Sequence, residues 1–152
     1  MISYLRKKGR SNLTICEDSL TASVFDGLKY LPTEIFYSIV KKSLYQDKLP
    51  KISGELLNII FWDKWNAKDT SNSNFVEPDL LLQFEDFDII IEAKRYDNFQ
   101  QSKHQMEKEI QAYYNVFYGS KDLYFIQLGG LHSKDNEDDF CFKNYKIKIL
   151  VY

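Results

Sequence analysis

The sequence predicts an α/β domain in which a mixed central β-sheet is flanked by helices. Three observations carry that prediction. Two apolar runs, Leu80-Leu81-Leu82-Gln83-Phe84 and Phe87-Asp88-Ile89-Ile90-Ile91, are broken only by Glu85-Asp86, the pattern of two antiparallel strands joined by a short turn. An amphipathic helical stretch and then another apolar strand follow, and a helix leading to a strand after an antiparallel hairpin makes the sheet mixed. Ahead of the hairpin, apolar side chains recur at helical spacing across residues 12–31.

In chain order, residues 1–10 carry the densest basic run, Arg6, Lys7, Lys8 and Arg10, which reads either as a phosphate grip or as a solvated tail. Residues 12–31 read as the first helix, with Leu13, Cys16, Leu20, Val24, Leu28 and Leu31 forming one apolar stripe expected to face the core. Pro32-Thr33 stops that helix and caps a second, residues 33–44, with Ile35, Ile39 and Val40 inward and Lys41-Lys42 on the solvated face. A linker containing Pro50 and Gly54 leads to a strand at 56–62. Residues 66–74 are a polar loop, of the kind that borders an active site or lies plainly on the surface. After the hairpin come a helix at 101–118, with Met106, Ile110, Tyr113 and Phe117 on one face and Gly119 at its end, and a strand at 122–128. Gly129-Gly130 then turns the chain into a polar loop at 133–139, and 140–152 alternate as a last strand. Ending on an apolar strand implies either a chain cut from a longer one or a terminus paired into the sheet.

A length of 152 residues with 44% apolar and 16% aromatic content makes one domain, 1–152, able to bury its own core. No apolar run approaches the roughly 18 residues of a membrane span, and no hydrophobic segment follows the N-terminal charges. The expectation is a soluble, cytoplasmic protein. Cys16 and Cys141 lack paired spacing and read as buried free thiols, and His104 and His132 are too scattered for a histidine metal site. A net charge of −2 argues against a nucleic-acid coat protein while leaving room for acidic chemistry at a groove with basic walls.

The hairpin arithmetic concentrates charge at one spot. With the turn centred between Glu85 and Asp86, Leu82 faces Ile89, Leu80 faces Ile91, and Asp79 falls opposite Glu92. Lys94 projects on the same side as Glu92, two residues along. Like charges facing each other across strands are destabilising; at about 4 Å and an effective dielectric near 20 the repulsion is roughly 4 kcal/mol. A divalent cation between the carboxylates would offset it, and hard ions such as Mg²⁺ favour carboxylate oxygens plus waters. Glu17 lies beside the stripe of the first helix. Thr14-Ile15-Cys16-Glu17 matches a capping box, whereas a side chain at 17 reaching the hairpin end would add a third carboxylate.

Pro78-Asp79, a gap, then Glu92-Ala93-Lys94 resembles the signature of the PD-(D/E)XK nuclease superfamily, and the architecture from about Ser11 to Leu128 is similar to it. The resemblance implies a restriction-endonuclease-like core of order αβββαβ. It also implies Mg²⁺, with Mn²⁺ as a substitute, held by Asp79 and Glu92 with the Ala93 carbonyl and Glu17. Lys94 would assist the attacking water. Family members commonly carry a glutamate on the first helix, as Glu17 is here, and a polar residue on the helix after the lysine strand, which Gln105 resembles. The expected activity is hydrolysis of DNA, rather than RNA, phosphodiesters in a setting such as defence. The alternative is a catalytically silent nucleic-acid- or protein-binding module on the same fold. With no separate DNA-reading module, the chain is expected to work as a homodimer or with a partner subunit.

Overall fold

The computed structural model describes residues 2–7, 16–45, 47–95, 101–130, 139–142 and 145–151. Its elements are α1 (Ile2–Lys7), α2 (Glu17–Leu28), α3 (Thr33–Ser43), β1 (Leu56–Phe61), β2 (Trp65–Asn66), β3 (Phe75–Val76), β4 (Leu80–Phe84), β5 (Phe87–Ala93), α4 (Lys103–Phe117), β6 (Asp122–Leu128), β7 (Asp139–Phe142) and β8 (Tyr145–Val151). The large sheet runs β1-β4-β5-β6-β8-β7. It is mixed: β1/β4, β4/β5 and β7/β8 are antiparallel, and β5/β6 and β6/β8 are parallel. The α/β class and the mixed sheet flanked by helices are therefore as the sequence predicts.

β5 lies at the centre, buried along its whole length, which explains why its middle, Ile89-Ile90-Ile91, is unbroken apolar sequence instead of an alternation. Its side chains serve two cores. Ile89 and Ile91 join Leu80, Leu82, Phe84 and Phe87 under α1, α2 and α3. Ile90 joins Leu81, Leu123 and Phe125 beneath α4, where Met106, Ile110 and Tyr113 pack. Burying each such side chain contributes about 1.5–3 kcal/mol. The hairpin register pairs Leu80 with Ile91 and Leu82 with Ile89, the pairing expected from the turn.

Several expectations are corrected. The predicted stripe of the first helix is not its buried face: Leu20 and Val24 are 54% and 48% exposed, and Leu31 is also exposed. The buried face is Ser19, Thr21, Ala22, Phe25 and Asp26. Small residues there admit close packing, and Asp26 is accommodated because it accepts hydrogen bonds from the Ser3 N–H (2.8 Å) and Oγ (2.6 Å) at the start of α1 and pairs with Lys29. α3 is rotated in the same sense. Phe36, Tyr37 and Val40 are buried while Ile35 and Ile39 are exposed, because the aromatic pair fills more core volume and the Tyr37 hydroxyl donates to the Pro50 carbonyl at 2.6 Å. Lys41 is not merely solvated, since it donates to the Leu49 and Pro50 carbonyls and pairs with Asp47.

The N-terminal run is also no simple tail: Ile2–Lys7 is helical and Tyr4 is buried against Trp62. The thiols are not buried as a pair, Cys16 being half-buried and Cys141 exposed. The last strand is two antiparallel strands, β7 and β8, with Phe142 paired to Tyr145. The β2/β3 ribbon, which carries the buried Trp65 against Tyr113 and Phe117 of α4, has no counterpart in the sequence reading. It holds the polar loop between its strands against α4, where Asn115 donates to the Asn66 and Lys68 carbonyls at 2.9 and 2.7 Å. Leu13, Thr14 and most of the expected 133–139 loop lie outside the described residues.

Candidate functional site

The two strands of the hairpin deliver their charges to one end of the sheet. Asp79 directly precedes β4, Glu92 is the penultimate residue of β5, and the register places them opposite one another one step beyond the Leu80/Ile91 pair. Both are buried, Asp79 at 8% exposure and Glu92 at 3%. Asp79 Oδ2 accepts the Ala93 N–H at 2.9 Å, a bond that locks the carboxylate against the neighbouring strand. Lys94 follows the strand, its N–H donating to the Leu128 carbonyl, and its ammonium donates to Glu92 Oε1. The Lys94 Nζ also stands 3.5 Å from Glu17 Oε1.

Glu17 does not act as the third residue of a capping box. It is the first helical residue of α2, and the Ser19 hydroxyl takes the Cys16 N–H at 2.9 Å in its place. Its carboxylate instead reaches the hairpin end, where Oε2 accepts the Arg95 N–H at 3.0 Å. On the opposite side Gln105, in the first turn of α4, donates from Nε2 to Glu92 Oε1 at 2.5 Å. Glu17, Glu92, Lys94 and Gln105 thus form one hydrogen-bonded network, with Asp79 facing Glu92 across the strand pair. Of the basic run, Arg6 is exposed on α1; Lys7 closes that helix, and its side chain, with Lys8 and Arg10, lies outside the described residues.

Two residues that the sequence reading did not assign to the site complete it. Gln101 Nε2 donates to the Glu92 and Gly129 carbonyls, 3.1 Å each, tying the ends of β5 and β6 to the approach to α4. Glu109 is 1% exposed, and its Oε1 accepts the other Gln105 N–H at 3.0 Å. The signal for Glu109 was its position, three residues after Met106 and four before Tyr113, within the buried stripe of α4.

The electrostatics follow from burial. Desolvation, followed by the charge of Glu92, pushes the Asp79 carboxyl up to about 7 against the opposing Ala93 N–H bond and Lys94. The same two causes in the same order hold Glu109 well above the usual carboxylate range. Burial depresses the Lys94 ammonium, but the hydrogen bond to Glu92 and the surrounding carboxylates outweigh it, so its pKa is raised and the amine is held protonated.

This donor set fits a hard divalent cation. The facing carboxylates offer only oxygen, and Asp79 is pushed up first by burial and then by the charge of Glu92, which a cation between them would offset. Among the described residues no three His, Cys, Asp or Glu side chains converge to hold a metal ion. The chain itself therefore offers a two-carboxylate face, and water and substrate would complete the shell, as is usual for Mg²⁺. Two cavities flank the cluster. One, of about 370 Å³, is lined by Leu20, Val24 and Ile39 together with Glu17, Lys94 and Arg95; the other, of about 310 Å³, is polar and lined by Glu77, His104, Gln105, Lys108 and Glu109. Among the described residues no helix is long and apolar enough to cross a membrane.

Among curated proteins the chain is similar to an uncharacterized protein of Pasteurella multocida, 41% identical over 123 residues. That match takes in 80% of this chain but 45% of the relative, so the chain spans less than half of the relative's length. No family model and no solved structure matches the chain.

Proposed function

We propose that this chain is a divalent-metal-dependent nuclease with a restriction-endonuclease-like core, hydrolysing phosphodiester bonds of DNA rather than RNA. The observation that carries the reading is the placement of Asp79 and Glu92 one step beyond the last paired residues, Leu80 and Ile91, of two hydrogen-bonded strands, with Lys94 in contact with Glu92. Asp79 and Glu92, with the Ala93 carbonyl, would hold Mg²⁺ or Mn²⁺. Such an ion, when bound, neutralises phosphate charge and acidifies water.

The chain's own residues supply the rest. Lys94, held protonated, is a donor and a positive charge: it orients the attacking water and balances charge developing on the phosphate. A protonated ammonium is no general base, so the water's proton leaves to solvent. Glu17 restrains the Lys94 side chain and the Arg95 backbone, and Gln105 restrains Glu92.

One observation favours a second reading, a catalytically silent module that binds nucleic acid or protein. Lys94 and Glu17 are already paired with each other within the cluster, which closes part of it. Incubation of the purified chain with Mg²⁺ and linear, circular and single-stranded DNA, with RNA in parallel, tests the choice. Cleavage that is lost in Lys94→Ala, with Mg²⁺ binding retained, is the expected result. Binding of DNA without cleavage by the wild-type chain would overturn the enzyme in favour of the module.

A further inference from the structure

Glu109 has no part in the chemistry above, yet it is the most deeply buried acid of the cluster, and its Oε2 has no hydrogen-bond partner among the described residues. A carboxyl placed beside two others in a low-dielectric interior costs stability that an apolar residue would not. A purely structural role on α4, between Met106 and Tyr113, would be served better by leucine or methionine.

The geometry supplies a reason. The single Gln105 nitrogen has two hydrogens and two carboxyl acceptors, Glu92 Oε1 at 2.5 Å and Glu109 Oε1 at 3.0 Å, and each takes one. An amide turned through 180° would set its carbonyl oxygen against Glu92 Oε1 and give up the N–H bond to Glu109 Oε1. With Glu109 present, both neighbours select the same orientation; without it, one N–H of the half-buried amide loses its protein partner and only Glu92 holds it. Gln105 and Lys94 both donate to Oε1 of Glu92 and neither uses Oε2, so these two donors together fix the plane of that carboxylate.

We propose that Glu109 is a positioning residue: it locks the Gln105 carboxamide, one helical turn away, in the orientation that holds Glu92 for cation binding, an assignment that rests on the metal-dependent reading of the site. Outer partners of this kind, when removed, typically lower metal affinity or activity by about 10–100-fold.

The test uses Glu109→Gln, which keeps a carbonyl acceptor for Gln105, and Glu109→Met, which removes it at similar volume. Three quantities are read: the side-chain NH₂ resonances of Gln105, identified by their loss in Gln105→Met; Mg²⁺ affinity by calorimetry; and kcat and KM on DNA. In Glu109→Met one Gln105 proton should lose its protection from exchange, Mg²⁺ affinity and kcat should fall about 10–100-fold, and KM for DNA should hold. Glu109→Gln should restore all three to within about threefold of wild type. The double variant Gln105→Met/Glu109→Met should be no worse than Gln105→Met alone, because the effect passes through Gln105.

Unchanged Gln105 protons and Mg²⁺ affinity in Glu109→Met would overturn the proposal, as would additive losses in the double variant. If Glu109→Met does not fold, Glu109→Gln against Gln105→Met carries the decision, since a Gln variant as impaired as Gln105→Met equally overturns it. A wild-type chain that neither binds Mg²⁺ nor cuts defeats the nuclease reading, and the Gln105 resonances then still decide whether Glu109 positions the amide.

Discussion

Asp79 gives the sharpest physical test, because its burial makes a prediction about the metal-free protein. An ordinary aspartate near 3.8 is raised to about 7 here, chiefly by desolvation and then by Glu92. The native state therefore binds more protons than the unfolded chain between those two values, and stability must fall as pH rises through that window and level off above it. Each pH unit of displacement is worth about 1.36 kcal/mol, so ionising Asp79 within the fold costs on the order of 4 kcal/mol. Asp79→Asn removes that ionisation and keeps a side-chain carbonyl to accept the Ala93 N–H. Chelator-treated Asp79→Asn should therefore match wild type near pH 4 and exceed it near pH 8 by about 2–4 kcal/mol, each kcal/mol moving Tm by roughly 2–4 °C in a domain of this size. Glu109, raised for the same reasons, keeps some slope in the variant. Urea unfolding at pH 4, 5.5, 7 and 8 measures the difference. A wild type whose stability is flat across this range, or a variant less stable at pH 8, would refute the account of Asp79 as a buried acid whose Ala93 bond and Lys94 neighbour fall short of its desolvation.

Metal should reverse that penalty: Mg²⁺ at a hundredfold excess over its Kd adds about 2.7 kcal/mol to wild-type stability, and Asp79→Asn should lose the rise in melting temperature. An equal rise in both proteins sinks the metal site. Glu17→Gln keeps an acceptor for the Arg95 N–H but loses the charge paired with the partly exposed Lys94, so stability should move by less than about 1 kcal/mol while cleavage falls roughly 10–100-fold; normal cutting would return Glu17 to the scaffold. Light scattering should find a dimer or a partner-dependent complex, and a monomer fully active on duplex DNA at nanomolar concentration would exclude it.

The parts of the fold that the sequence made legible are those governed by pairing arithmetic. Period-two geometry fixes both the register of a hairpin and the face each side chain takes once the turn is located, so Leu80/Ile91 and the Asp79/Glu92 juxtaposition follow from counting. Helix phase was not legible in the same way. α2 and α3 each carry apolar residues on more than one face, and a hydrophobicity pattern ranks Leu20 and Ile35 above Ala22 and Tyr37 although the core took the latter pair. What decided the phase was close approach and aromatic volume, together with an Asp26 bonded to Ser3 at the start of α1, a contact 23 residues apart in sequence. None of these is visible in an element read alone.

The same distinction separates the site residues that hairpin counting brings together from those that it does not. Asp79, Glu92 and Lys94 are linked through one hairpin, so local geometry brings them together. Glu17 joins them from α2, 77 residues before Lys94, and Gln101 and Glu109 join from the approach to α4 and its second turn; their roles depend on how helices on both faces of the sheet dock. Glu109 illustrates the consequence most directly. On sequence it is one more helix-favouring acid, four residues after a glutamine, and such a pair on a helix surface is worth only about 0.2–0.5 kcal/mol. Buried beside Glu92, the same spacing becomes a constraint on an amide with no free hydrogen, and the cost of burying the acid points to the site it restrains.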